Sequence, residues 1–411
     1  MLNGKIYVVT SIDLVNAVNR NSKVLAFNPF IAQLGKRITG HNDATSRVVQ
    51  HNLNGEDGPG YVTEIHDSTV TSLAPGINLE SMTAEMLLQA SVQFDKLDPG
   101  GEVDLFAWIK HMVTLEFNQD LNTLIVDILP TVFAPKGHQA RRKLGLAFQR
   151  YFEKYDAKHA KGAALIQSRH SLNTRYGLDA WNSSRLEVGV LLGILANTVP
   201  AIFYMIVHVL SNPNLLRDIR MELDMIAVSL GGDRTRCLNI LTMRERCTLL
   251  HSTLQEVLRL HALGSSVRYV REDIVLQDQY LLKKGMIVQM PMAVTHLDPQ
   301  IWGSDAESFQ PRRFLKLPKS KEFKTNTTAY RPFGGGASLC PGRHFVTLEA
   351  MALTALFVLR YDVVPVDGPW EIPRQKQESM ATNIFPPEKD VRVMVKRRKG
   401  YEHVVWDFTM E

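Results

Sequence analysis

From Val188 to Leu210 the chain reads VGVLLGILANTVPAIFYMIVHVL, without one charged residue. About 20 apolar residues suffice to cross a bilayer, so the run has two destinations: a membrane, or the middle of a large soluble core. Asn197, Pro200 and His208 interrupt it, soluble-looking sequence flanks it, and Asn212-Pro213 stops it. These features predict a buried central helix, around which the remaining chain must close.

That remaining chain suits the task. Apolar residues recur at helical spacing over Leu79–Phe94, Val103–Leu115 and Leu144–Ser168. Short β signals stand between them at Ile6–Thr10, Ile274–Leu282, Ile287–Met290 and Val391–Val395. The pattern predicts a mainly α protein, a helical body with small β-sheets. The loops Asn52–Gly60 and Lys316–Arg331 are the most linker-like, yet neither separates two cores, so residues 1–411 are read as a single domain. Hydrophobic residues make up 45% and charged ones 22%, as in soluble, well-cored proteins. A net charge of +5 is small for 411 residues and does not call for nucleic acid. Three cysteines, Cys237, Cys247 and Cys340, form no framework and no Cys-x-x-Cys pair, which favours a reducing or cytosol-facing setting. The N-terminus reads as a strand over Lys5–Val9 and a helix opening at Ser11 or Asp13, with no anchor or signal pattern expected ahead of it.

One segment points to chemistry. Phe333–Gly342 reads FGGGASLCPG, and an apolar helix follows Arg343. Three successive glycines are unfavourable inside a helix or strand. They suit a loop that turns tightly and lies against a flat ligand. Cys340 then falls at a helix N-terminus, where the dipole and free N–H groups favour a thiolate. A thiolate on a glycine loop is what a haem iron takes as a proximal ligand. The alternative is a buried structural cysteine in a turn.

The spacing Phe333-x-x-Gly336-x-x-x-Cys340-x-Gly342 resembles the haem-binding signature of the cytochrome P450 superfamily. Glu256-x-x-Arg259 and Phe309-x-Pro311-x-Arg313-Phe314 stand upstream in the family's order. The resemblance covers the chain from about Arg185 onward, and more weakly the region before it. It implies the P450 fold, with haem b buried between the long central helix and the Cys340 loop. Phe333, Gly334, Gly336, Gly342 and Cys340 are then cofactor-binding residues, with Cys340 the metal ligand. Glu256, Arg259 and Arg313 form a buried charged triad, and Arg268 meets a haem propionate. Ser338 replaces the family's second propionate arginine, and the family's Trp-x-x-x-Arg is absent from the first hundred residues; Trp181 to Arg185 is read as a chance match. The segment between Trp108 and Pro135 is short against the family.

On the oxygen side the family carries an acid–alcohol pair, but this chain reads Ala196-Asn197-Thr198-Val199-Pro200. The arrangement resembles the sterol hydroxylase and prostacyclin synthase branch and its fungal relatives. Asn197 and Thr198 are the candidate catalytic residues, and which one takes the threonine's place is left open. Pro200 has no N–H, so the Ala196 carbonyl loses its helical partner and a kink is expected. Asn197 either holds water or a substrate oxygen over the iron, or patches the broken turn. Leu263, Gly264, Ser265, Ser266, Thr382, Asn383, Ile384 and Phe385 are expected to line the substrate.

The resemblance implies a monooxygenase of secondary metabolism or sterol-like chemistry. Its substrate is an apolar small molecule, and its electrons come from NADPH through NADPH-cytochrome P450 reductase. Lys316, Lys319, Lys321 and Lys324 either dock that acidic partner or lie on a solvated loop. A monomer at the cytosolic face of the endoplasmic reticulum, with peripheral membrane contact or soluble, is expected from the family. The rival readings are a haem-thiolate isomerase or dehydratase acting on a peroxide, and a haem-binding protein without turnover.

Overall fold

The computed structural model describes residues 5–97, 100–114, 135–154, 163–232, 234–315, 329–376 and 382–411. The apolar run forms part of a 31-residue helix, Ala180–Leu210, roughly 46 Å long at 1.5 Å per residue. Asp179 caps its start by accepting from the Asn182 N–H. Asn212 both follows its end and caps the next helix, Pro213–Ile226. Every residue from Thr198 to Leu210 is buried, whereas Gly193 is exposed to a cavity described below. Among the described residues this is the one helix long and apolar enough to cross a membrane, and 61% of its most apolar window is buried inside the protein.

The helix lies against Asn28–Thr39, Leu105–Thr114, Pro135–Glu153, Thr248–His261 and Arg343–Arg360. The backbone stays helical through Pro200. The expected break is therefore confined to the hydrogen bond that proline cannot donate. His208, the polar interruption farthest along, shares a 2.9 Å hydrogen bond with His261 through their Nε2 atoms and stacks on Phe309. Tyr204 stacks on His261 at 3.9 Å between ring centroids. Burial drives both imidazoles toward the neutral form, His208 to about 4. A neutral pair is what this contact requires, since one ring nitrogen must donate and the other accept.

Four small sheets flank the helical body. The largest runs in the order Ile6–Val8, Ile287–Pro291, Ser265–Val270 and Leu25–Ala26, with the first pair parallel and the others antiparallel. A second joins Tyr361–Pro365, Arg392–Arg397 and Gly101–Asp104. A third lays Val405–Thr409 beside Thr235–Asn239 and Val228–Leu230. Ile274–Leu282, expected as one strand, is a two-stranded hairpin, because Gln277 and Asp278 adopt positive φ. The periodic stretch from Val103 opens as strand before the helix Leu105–Thr114. The stretch from Leu144 divides between Pro135–Glu153 and Ala164–Arg175.

The helix Arg343–Arg360, which carries the chain away from Cys340, is buried from Leu348 to its end. It encloses Glu349, whose Oε2 has no hydrogen-bond partner and whose carboxyl is pushed up to about 8 by burial. Between about pH 4.5 and 8 the folded chain holds a proton there that the unfolded chain has released, so this group lowers stability as pH rises. Glu349→Gln is expected to raise the thermal midpoint at pH 8 by several degrees, and by much less at pH 5. Thermal unfolding at the two pH values checks this; a pH-independent effect would show that Glu349 is paired.

Candidate active site

The glycine segment makes a closed loop. Gly334 and Gly336 have φ of +80° and +60°, backbone that side chains other than glycine's adopt poorly. The Cys340 N–H donates to the Phe333 carbonyl at 2.9 Å, and the Gly334 N–H to the Arg331 carbonyl at 2.9 Å. A Cβ on Gly336 would meet the Asn19 side chain at 3.2 Å, so the loop is packed against the first helix, Ile12–Arg20.

Cys340 is half-buried and lines a cavity of about 310 Å³. Burial raises its thiol pKa, while hydrogen bonds from the Gly342 and Arg343 N–H groups and the Arg343 charge pull it down. Burial prevails. The helix start thus works toward the thiolate against burial, and a metal cation bound at the sulfur would favour it further.

The same cavity is lined by Gly193, Asn197 and Thr198 from the long helix. Asn197 Oδ1 accepts from the backbone N–H groups of Asn383 at 2.8 Å and Ile384 at 3.0 Å. It patches a neighbouring segment, not its own helix. The Thr198 hydroxyl donates to the Ile194 carbonyl at 2.6 Å. Of the expected substrate residues, Ser265, Ser266, Asn383 and Ile384 line the cavity. Leu263, Gly264, Thr382 and Phe385 are not part of that lining. Leu263 and Gly264 hold it from behind, donating from their N–H groups to the Asn383 carbonyl at 2.9 and 3.0 Å. An added Cβ on Gly264 would lie 2.6 Å from the Thr382 carbonyl oxygen. The sequence reading missed Phe27, Phe30, Ile31 and Leu34, which close the cavity from the helix Asn28–Thr39 and the residue before it. The cue was there: apolar residues at helical spacing after Asn28-Pro29, a helix-opening pair.

Arg268 sits at the cavity edge, only 3% exposed. It donates to the Val267 carbonyl, Asn19 Oδ1 and the Gly335 carbonyl, but to no carboxylate among the described residues. Burial, then the nearby Arg331 charge, lowers its pKa to about 10. Beyond it a second cavity of about 560 Å³ is lined by Ser22, Lys23, Asn28, Glu56, Ser338 and Arg268 itself. Trp181 and Arg185 stack within one helix, the guanidinium 4.2 Å from the ring centre, well away from Arg268's edge of the cavity in sequence and without a place in its lining.

Glu256, Arg259 and Arg313 meet. Arg259 donates from Nε and Nη2 to the two Glu256 oxygens at 2.9 and 2.8 Å, and Arg313 Nε donates to both at 3.1 and 3.2 Å. The Gln310 N–H adds a bond to Oε1 at 2.9 Å. Glu256 and Arg259 are wholly buried. Arg259 continues to the His296 and Ala306 carbonyls, and Arg313 to the Trp302 carbonyl and Asp305. Such a carboxylate is tolerable in low dielectric because every charge is paired and planar forks match it. The four lysines Lys316, Lys319, Lys321 and Lys324 lie outside the described residues.

Comparison with known proteins gives the class. The Cytochrome P450 family model matches residues 91–389, and the chain belongs to that family. It is 29% identical to a cytochrome P450 monooxygenase of Hypoxylon pulicicidum, nodJ, over 98% of this chain and 83% of that one. A cytochrome P450 monooxygenase of Gibberella zeae is likewise 29% identical, over 99% and 83%. The 25-hydroxycholesterol 7-alpha-hydroxylase of Rattus norvegicus is 28% identical over 51% of this chain and 54% of its own length. A retinoic acid-bound cyanobacterial P450, CYP120A1, shares the fold with a TM-score of 0.73 at 17% identity, covering 97% and 90% of the two chains. The protein is therefore a P450 of the oxidoreductase class, and its family implies haem.

The residues present fit that group. The cavity has a cysteine sulfur at one wall, glycine backbone beside it, and a buried guanidinium with no carboxylate partner at its edge, which suits a haem carboxylate. Removing Glu256 would leave the wholly buried Arg259 without an anion and Arg313 with Asp305 alone, at about 3–5 kcal/mol. Glu256→Ala is expected to yield haem-free or unfolded protein. Haem content and urea unfolding check it; a stable holoprotein would contradict the network's structural role.

Proposed function

We propose that the protein is a haem-dependent monooxygenase acting on an apolar small molecule, a secondary metabolite or sterol-like compound. The observation that carries this is one cavity lined by Cys340 together with Asn197, Thr198 and Arg268. Haem, when bound, supplies the activation of dioxygen and the insertion of oxygen into a C–H bond.

The chain's residues divide the remaining work. Cys340 Sγ is the iron ligand, and the Gly342 and Arg343 N–H groups stabilise its charge. Arg268 pairs with a haem carboxylate. Glu256, Arg259 and Arg313 hold the polypeptide that leads into the cysteine loop. Phe27, Phe30, Ile31 and Leu34 exclude water from the substrate. Asn197 and Thr198 are the polar groups nearest to where a proton must be delivered. The fungal relatives and the sterol hydroxylase support the substrate class. We further propose a single domain working as a monomer at the cytosolic face of the endoplasmic reticulum, with electrons from NADPH through NADPH-cytochrome P450 reductase.

One observation favours a second reading. No Asp, Glu or His lines the cavity among the described residues, so an isomerase or dehydratase rearranging a peroxide, which needs no acid for dioxygen, is its rival. Reconstitution with reductase and NADPH under labelled dioxygen, against a panel of sterols and terpenoids, separates them. The monooxygenase gives singly labelled product only when reductase is present. Turnover of an organic hydroperoxide, at one rate with or without reductase, would establish the rival.

A further inference from the structure

Asn197 reaches the cavity in a fixed orientation. Its Oδ1 accepts two hydrogen bonds, from the Asn383 and Ile384 N–H groups. Backbone N–H groups only donate, so the amide cannot be turned over: oxygen faces residues 383–384, and the NH₂ group faces away. Both lone pairs of that oxygen are engaged. The Nδ2 group has no hydrogen-bond partner among the described residues and is not buried. Of the hydroxyls lining the cavity, Thr198 donates to Ile194 and Ser265 accepts from Gln289. This end of the cavity therefore presents an uncharged donor without its own acceptor.

The oxygen has a separate task. The segment 383–384 is held on its other side by the Leu263 and Gly264 N–H groups and by a β-bridge between Ala262 and Ile384. Asn197 is the tie that fixes this cavity wall to the long helix, across 186 residues of sequence.

We infer that Asn197 is a positioning and specificity residue with two functions set by one orientation. Its carbonyl clamps the wall at Asn383–Ile384. Its amide hydrogens select substrates that carry a hydroxyl, keto or ether oxygen on the end beside the long helix. The inference rests on the proposed function and narrows it from apolar molecules to apolar molecules with an acceptor oxygen near the oxidised carbon.

Two substitutions separate the functions. Asn197→Asp keeps an oxygen for both N–H groups but removes the donor. Asn197→Leu removes both. The probes are trans-2-decalone and trans-decalin, titrated into holoprotein by the haem spin-state change, with the C–O stretch of the reduced carbon monoxide complex as a second reading. Wild type is expected to bind the ketone at least ~10-fold more tightly than the hydrocarbon. In Asn197→Asp that preference falls to within about 2-fold, the C–O stretch rises, and the thermal midpoint stays near the wild-type value. Asn197→Leu loses the preference and several degrees of midpoint as well. A preference retained in Asn197→Asp, or missing from wild type, overturns the donor role. If neither probe changes the spectrum, the C–O stretch decides, and one value in all three proteins overturns it. An Asn197→Leu protein as stable as wild type overturns the clamp. Failure of the haem-thiolate reading shows separately, as holoprotein without thiolate-type absorption in the reduced carbon monoxide complex.

Discussion

The arrangement of this molecule depends on a carboxylate that cannot be left alone. Glu256 is wholly buried, and an ion there survives only with its charge and lone pairs matched. Arg259 and Arg313 supply that match from the same helix and from the loop 57 residues on. Their remaining N–H groups reach the carbonyls of His296, Trp302 and Ala306. The irregular chain from 296 to 313 is thereby fixed to a rigid helix. The same helix leads at its C-terminal end into Leu263 and Gly264, which hold the cavity wall at Asn383. One charge network thus locates both the approach to the cysteine loop and the far side of the cavity. Against a total stability of about 5–15 kcal/mol for a folded domain, its integrity is decisive.

Apolar packing sets the other condition. The long helix is buried on all sides from Thr198 onward, so its first half is positioned over the cavity by its second half in the core. Charged and imidazole groups in this interior are paired, His208 with His261 and Arg169 with Glu187 at 3.0 Å. Glu349 Oε2 has no partner, and burial pushes its carboxyl toward the protonated form. At the cavity the balance reverses. Arg268 keeps a buried charge with only neutral acceptors, and Cys340 keeps a thiol that burial disfavours ionising. An anionic haem carboxylate would pair the Arg268 charge and a cationic metal would favour ionisation of the Cys340 thiol, which is the physical content of the proposed haem site.

Local patterns made much of this legible. The helix of Glu256 and Arg259 could be read because a three-residue spacing places both on one face. The Cys340 loop could be read because successive glycines before a helix start have few other uses. The central helix followed from twenty apolar residues with a proline stop. The rest was set by distance along the chain. Nothing near Asn197 in sequence says that its oxygen meets the amides of 383 and 384, so holding water or a substrate oxygen and patching its own turn were the available readings, and neither foresaw this cross-link. Phe27 to Leu34 were overlooked because they reach the cavity only through the placement of the first sheet. Thr382 and Phe385 were expected in the lining as neighbours of Asn383 and Ile384, but both are buried and lie outside it.

The central claim is that Cys340 supplies the iron's protein ligand. Cys237 is half-buried within the strand Thr235–Asn239, Cys247 is buried between two helices, and burial raises both thiols. The most direct measurement is the absorption spectrum of the reduced carbon monoxide complex of the holoprotein and of Cys340→Ser, Cys237→Ser and Cys247→Ser. The account predicts thiolate-type absorption in the wild type and in the Cys237 and Cys247 variants, and its loss in Cys340→Ser alone. Thiolate-type absorption that survives in Cys340→Ser, or vanishes in either of the other two, would contradict it.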